Sequence, residues 1–170
     1  HGSSAASDVY KRQLIKVGAT ADVCAFDFNF RHQLHYDKNR SQSLFIEINN
    51  YVNINFVSYD DVKDLFKIKK PNEIFNLLNN EKNLILLRYK NLIIFKNLDQ
   101  DIKTITVPHG EVVDTTAAGD AFNGSFLALM NNGKNTSIED IILKSHAVTR
   151  EVIKYKGAII KKNQMPKLSI

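Results

Sequence analysis

The chain has 170 residues, 24% of them charged and 44% hydrophobic, which suits one globular domain with a buried core rather than a disordered chain. Its net charge of +5 comes from scattered lysines. No run interleaves basic and aromatic residues, so a solvated surface that attracts anionic substrates fits better than a nucleic-acid platform. The single cysteine, Cys24, excludes an internal disulfide and sits in the apolar run VCAF, where a small buried residue is expected rather than a nucleophile. No apolar stretch reaches the length of a membrane span and no signal peptide is apparent, so a soluble, cytoplasmic protein without a membrane partner is expected.

In chain order, the first thirteen residues show neither helical nor strand periodicity. Ser3 to Gln13 back-translates without a mismatch to a transposase adapter used in sequencing libraries. Residues 1–13 are therefore expected to be non-native, with residues 14–170 the C-terminal part of one larger domain. Strands are expected at Val23–Phe28, Ile54–Val57, Leu84–Arg88, Leu92–Phe95 and Ile105–Val107. The first three are continuously apolar, as in strands covered on both faces. Helical patterns occupy Ser43–Tyr51, Tyr59–Phe66 and a segment opening at Pro71. A longer helix runs from Ala118 to Asn132 and stops at Gly133; another opens at Thr136-Ser137-Ile138-Glu139, a capping-box pattern, and continues to about Tyr155. Strands alternating with helices predict an α/β, doubly wound, mainly parallel sheet with helices on both faces, and LILLRYKNLIIF reads as a tight hairpin added to it.

The segment VVDTTAAGDAFNG, Val112 to Gly124, is the chemical centre of the sequence. A glycine at the mouth of a helix lets a ligand approach the main chain, and the free N–H groups of the first turn carry the positive end of the helix dipole. Ala117 and Ala118 keep that approach clear. An aspartate beside such a site, Asp120, can accept a proton from a substrate hydroxyl while the N–H groups hold a transferring phosphoryl. Taken alone, a Gly–Asp pair also suits an ordinary acid-stabilised helix start. Upstream, the alternation of Asp27-Phe28-Asn29-Phe30-Arg31 puts Asp27, Asn29 and Arg31 on one side at the carboxyl end of a strand. Arg31 could there grip a carboxylate through two hydrogen bonds.

The string Asp114-Thr115-Thr116-Ala117-Ala118-Gly119-Asp120 resembles the D-T-x-G-A-G-D signature of the ribokinase-like (PfkB) sugar kinases, with alanine for the first glycine. The resemblance implies Asp120 as catalytic base, the backbone of Ala117, Ala118 and Gly119 as an anion hole, ATP with Mg²⁺ as donor, and Asp114 beside a monovalent cation such as K⁺. Within the family, FDFNFRHQL at Phe26–Leu34 and SHAVTREVIKYKGAIIKKNQMP at Ser145–Pro166 are similar to the 2-keto-3-deoxygluconate kinases. That similarity implies a sugar-acid substrate held by Arg31 and Asp120, with Asn29, Phe30 and Arg31 near the nucleotide phosphates. The family's K-x-G-x-x-G-like turn corresponds here to Arg88-Tyr89-Lys90-Asn91, where Arg88 stands for the lysine and Asn91 is expected to supply a left-handed turn residue. His35-Tyr36 replaces a tryptophan, and His146 is read as a packing or adenine-pocket residue. The resemblance further implies a substrate lid upstream of this chain and a homo-oligomer formed through it, with little activity expected from the chain alone. A kinase for fructose or ribose, or a non-catalytic nucleotide-binding protein, remains as an alternative.

Overall fold

A computed structural model describes residues 11–13, 15–18, 20–31, 37–78, 80–97, 101–132 and 136–166. The expectations for residues 3–10, His35-Tyr36 and Gly133 lie outside the described residues. The chain divides into two compact units, His1–Thr104 and Ile105–Ile170.

The first unit carries strands β1 (Ala25–Asp27), β2 (Ile54–Ser58), β3 (Leu84–Tyr89) and β4 (Leu92–Lys96), with helices α1 (Lys38–Ile48), α2 (Tyr59–Phe66) and α3 (Glu73–Leu77) between them. A fifth strand, β5 (Ile102–Thr106), contains the boundary between the units. The sheet order is β1-β2-β3-β4-β5. β1 and β2 pair in parallel, as do β2 and β3, whereas β3 and β4 form the antiparallel hairpin that their sequence predicts. The sheet is thus mixed and mainly parallel, in an α/β arrangement.

Several boundaries differ from the sequence expectation. β1 is shorter than Val23–Phe28, and the last strand starts earlier, at Ile102. Helix α1 begins at Lys38 rather than Ser43, because the Asp37 side chain accepts a hydrogen bond from the Arg40 N–H at 3.0 Å and caps the first turn.

Strand alternation divides the sheet's side chains between two faces. Val57, Ile85, Leu87 and Ile94 share one face and join a cluster with Phe28, Phe45, Ile48, Val62, Leu65 and Phe75. Phe56, Leu86 and Phe95 sit in register on the other and are equally buried. Burying each such side chain contributes about 1.5–3 kcal/mol. At the amino ends of the strands, the Asn49 carboxamide oxygen accepts from Asn55 Nδ2 at 2.8 Å and from Asn83 Nδ2 at 3.0 Å. These buried amides tie the 3-10 turn Asn49–Tyr51 to β2 and to the start of β3.

The second unit contains α4 (Ala118–Asn132) and α5 (Ile138–Val152), which pack on one another. Phe122, Phe126 and Leu129 bury one face of α4, with the two rings stacked 6.2 Å apart. Helix α5 buries Ile141, Ile142, Ser145, Val148 and Val152. Its cap is Ser137, whose side chain accepts from the Asp140 N–H at 3.1 Å, one residue later than the Thr136 box predicts. Among the described residues, no helix is long and apolar enough to cross a membrane.

Candidate active site

In the first unit, charged side chains gather at the carboxyl ends of the parallel strands. Asp27 closes β1 and Arg88 lies near the end of β3, with β2 between them. Arg88 Nη2 stands 3.8 Å from Asp27 Oδ1. The expected alternation holds: Phe28 and Phe30 are buried against Phe45, while Asn29 and Arg31 are exposed. Phe30 therefore serves the core through its ring, and a role for it toward phosphate would fall to its main chain.

Asp61, which sequence reasoning missed, belongs to the same cluster. Burial pushes its carboxyl up, against the pull of the Arg31 and Arg88 charges, with Asp27 and Asp60 adding repulsion. It sits in the first turn of α2, where an acid reads as ordinary dipole compensation, and the neighbouring Asp60 offered the same signal. Its nearness to two arginines is a consequence of topology.

The turn after Arg88 has two residues, since Tyr89 pairs with Leu92. Lys90, at φ 54°, takes the left-handed conformation that the sequence assigned to Asn91. Its ammonium lies 5.2 Å from the Tyr89 ring centroid, and Tyr89 packs edge-on against Tyr59 at 4.8 Å. Aromatic contacts thus help hold a turn that has no glycine.

In the second unit, Asp114 opens the loop that leads into α4. Its Oδ1 accepts from the Thr116 N–H at 2.9 Å and its Oδ2 from the Gly157 N–H at 2.8 Å. The hydrogen bonds from Thr116, with that from Gly157, hold the carboxyl down at about 2. Ala117 follows at φ 60°, the left-handed region. That is the position where the resembling signature carries glycine, and the physical reason is now visible: an L side chain is disfavoured there.

The Ala118 N–H donates to the Thr115 carbonyl at 3.1 Å, and that of Ala121 to Ala117 at 2.8 Å. Of the expected anion hole, the backbone of Ala117 to Gly119, one N–H is therefore taken. Ala118 is engaged, and among the described residues the N–H groups of Ala117, Gly119 and Asp120 have no main-chain acceptor, as at any helix start. Gly119 is half-buried and Asp120 is exposed. Asp120 also lines a cavity of about 350 Å³ with Gly124, Ser125, Ala128, Val148 and Met165. A helix mouth with free donors and an adjacent carboxylate can bind an anion and accept a proton.

His146 on α5 is within 3.0 Å of the Pro108 carbonyl oxygen through Nε2. Burial lowers its pKa, against the Pro108 hydrogen bond, with Arg150 and His109 lowering it further. The sequence reading left a packing or an adenine-pocket role open, and this contact is of the first kind. Cys24 is buried, and burial raises its thiol pKa. Among the described residues no group of three or more His, Cys, Asp or Glu side chains is arranged to hold a metal ion.

The α/β sheet and its helices have the ribokinase-like fold. Solved structures agree. The chain superposes on the ATP-bound fructokinase of Xylella fastidiosa with a TM-score of 0.76 at 19% identity, covering 94% of this chain and 53% of that one. It superposes on the aminoimidazole riboside kinase of Salmonella enterica with a TM-score of 0.71 at 18% identity, covering 91% and 52%. The profile of the pfkB family carbohydrate kinases matches residues 3–165, and the chain belongs to that family. Among curated relatives, the 2-dehydro-3-deoxygluconokinase of Haemophilus influenzae is 33% identical over 156 residues, covering 88% of this chain and 48% of the relative. The enzyme of the same name from Escherichia coli K12 is 29% identical over 146 residues, covering 83% and 47%. The chain spans about half the length of the curated relatives it matches.

Proposed function

We propose that this chain is the C-terminal part of an ATP-dependent kinase that phosphorylates 2-keto-3-deoxygluconate on its terminal hydroxyl. The observation that carries the reading is the helix mouth at Gly119, with free donors, and the exposed Asp120 beside it. The names of the curated relatives support the substrate. In this reading the substrate oxygen attacks the γ-phosphorus as the bond to the ADP oxygen breaks, and Asp120 takes the hydroxyl proton. The Gly119 N–H stabilises charge on the moving phosphoryl oxygens. Arg31 holds the sugar carboxylate, and Arg88, with the main chain at Asn29 and Phe30, faces the nucleotide phosphates. Where Mg²⁺ accompanies the nucleotide, the Asp61 and Asp27 carboxylates would hold it. It would neutralise phosphate charge.

A kinase for a neutral sugar is the second reading, and Arg31 separates the two. In the full-length enzyme, Arg31→Ala should lower kcat/KM for the sugar acid by about tenfold to a hundredfold, the loss of a charge-assisted hydrogen-bonded pair. Use of fructose or ribose should change little. Equal losses on acid and neutral sugars would sink the sugar-acid reading. The isolated chain should release ADP in a coupled assay at no more than background, and turnover at a normal enzyme rate would contradict its being a part of the catalytic unit.

A further inference from the structure

Likeness to the sugar kinases carries an expectation of K⁺ near Asp114, and the structure places protein donors on that carboxylate. A hard cation is held by oxygen ligands whose lone pairs converge on it. Here each carboxylate oxygen of Asp114 instead receives an N–H, from Thr116 at 2.9 Å and Gly157 at 2.8 Å. These two bonds take up two of the roughly four acceptor positions that a carboxylate offers. Three nearby carbonyls are also engaged. Thr115 accepts from Ala118, Ala117 accepts from Ala121, and Ile153 accepts from both Val113 at 2.8 Å and Asp114 at 3.1 Å. Gly157 lies at φ 95°, and nothing stands within 4 Å of where its Cβ would be. Its glycine is therefore a demand of conformation, not of space, and that conformation aims its N–H at the carboxylate.

We infer that the loop from Asp114 to Gly119 is fastened to the 153–157 turn by protein donors and keeps its shape without a monovalent cation. The inference stands on these hydrogen bonds and not on the choice of sugar. Its test is amide hydrogen exchange on the isotopically labelled full chain in KCl, NaCl and choline chloride at equal ionic strength. Exchange at Thr116 and Gly157 should be the same in all three salts. Slower exchange at these amides in K⁺ or Na⁺ than in choline would overturn the inference. Asp114→Asn keeps the side chain's shape and leaves one acceptor oxygen, so at least one of the two amides should exchange roughly tenfold faster than in the parent chain. Unchanged exchange at both would also overturn it. Should the variant fail to fold, the comparison of salts on the parent chain decides alone.

Discussion

Across β2, the guanidinium of Arg88 faces the carboxylate of Asp27 at 3.8 Å, so that the end of the hairpin and the end of the first strand meet as opposite charges. The pair sits at the sheet edge within reach of solvent, and its contribution to stability is small, at most about 1 kcal/mol. Arg88→Ala should therefore leave the denaturation midpoint of the chain nearly unchanged. In the full-length enzyme the same change should raise KM for ATP by about tenfold, the loss of one charged contact to phosphate. Equilibrium unfolding together with ATP titration of the rate checks both. A large fall in stability with unaltered KM would assign Arg88 to the fold.

Asp61 is held in a setting that disfavours its own charge. Its raised pKa means that the stability linked to it is fully present below the unfolded carboxyl range and is lost as pH rises through the folded value. At neutral pH the charge is a burden on folding, relieved in part by Arg31 and Arg88. Asp61→Asn should leave the thermal midpoint equal or higher, while the Mg²⁺ concentration for half-maximal rate rises about tenfold, as the proposed loss of one of two metal-holding carboxylates implies. A destabilised variant with unaltered Mg²⁺ demand would assign Asp61 to structure.

Ala117 carries backbone strain in the loop that presents Gly119. An alanine in the left-handed region costs about 1–2 kcal/mol, and glycine in its place loses about 0.4–1 kcal/mol through the freer unfolded chain. Ala117→Gly should thus stabilise the chain by roughly 0.5–1 kcal/mol in a urea titration. A loss of stability would show that the methyl group packs usefully.

Below pH 6.5, the ordinary value for histidine, the fold should weaken. His146 is depressed by burial, so the unfolded chain takes up its proton first. The stability it supports is complete above 6.5 and is lost as pH falls toward the folded value. His146→Gln can keep a hydrogen bond to the Pro108 carbonyl and cannot titrate. It should flatten the midpoint-against-pH curve below about 6.5. A curve parallel to that of the parent chain would mean that other groups set the dependence.

Much of the fold was legible because periodicity and punctuation agree. Leu84–Tyr89 and Leu92–Lys96 read as a hairpin from their apolar runs, and α4 spans the Ala118–Asn132 that the sequence predicts. What stayed hidden depends on three-dimensional neighbours. Asp60 and Asp61 look alike in one dimension, and burial together with two arginines singles out the second. Nothing in the letters Lys90-Asn91 tells that the lysine takes the left-handed turn; the contact of its ammonium with Tyr89 helps to hold it. The engagement of Asp114 with Gly157 joins two motifs that were each read separately, 43 positions apart. The Ala118 N–H was counted as free because its bond to Thr115 is a turn that the motif does not spell.

The role of Asp120 is tested most directly by phosphoryl transfer from ATP to 2-keto-3-deoxygluconate, comparing the full-length enzyme with its Asp120→Asn variant. Asparagine preserves size and the exposed position but cannot accept the hydroxyl proton. The expected result is a kcat lower by about 10²- to 10⁴-fold with a native unfolding midpoint. Equal kcat in the two proteins would contradict the assignment of Asp120 as the base.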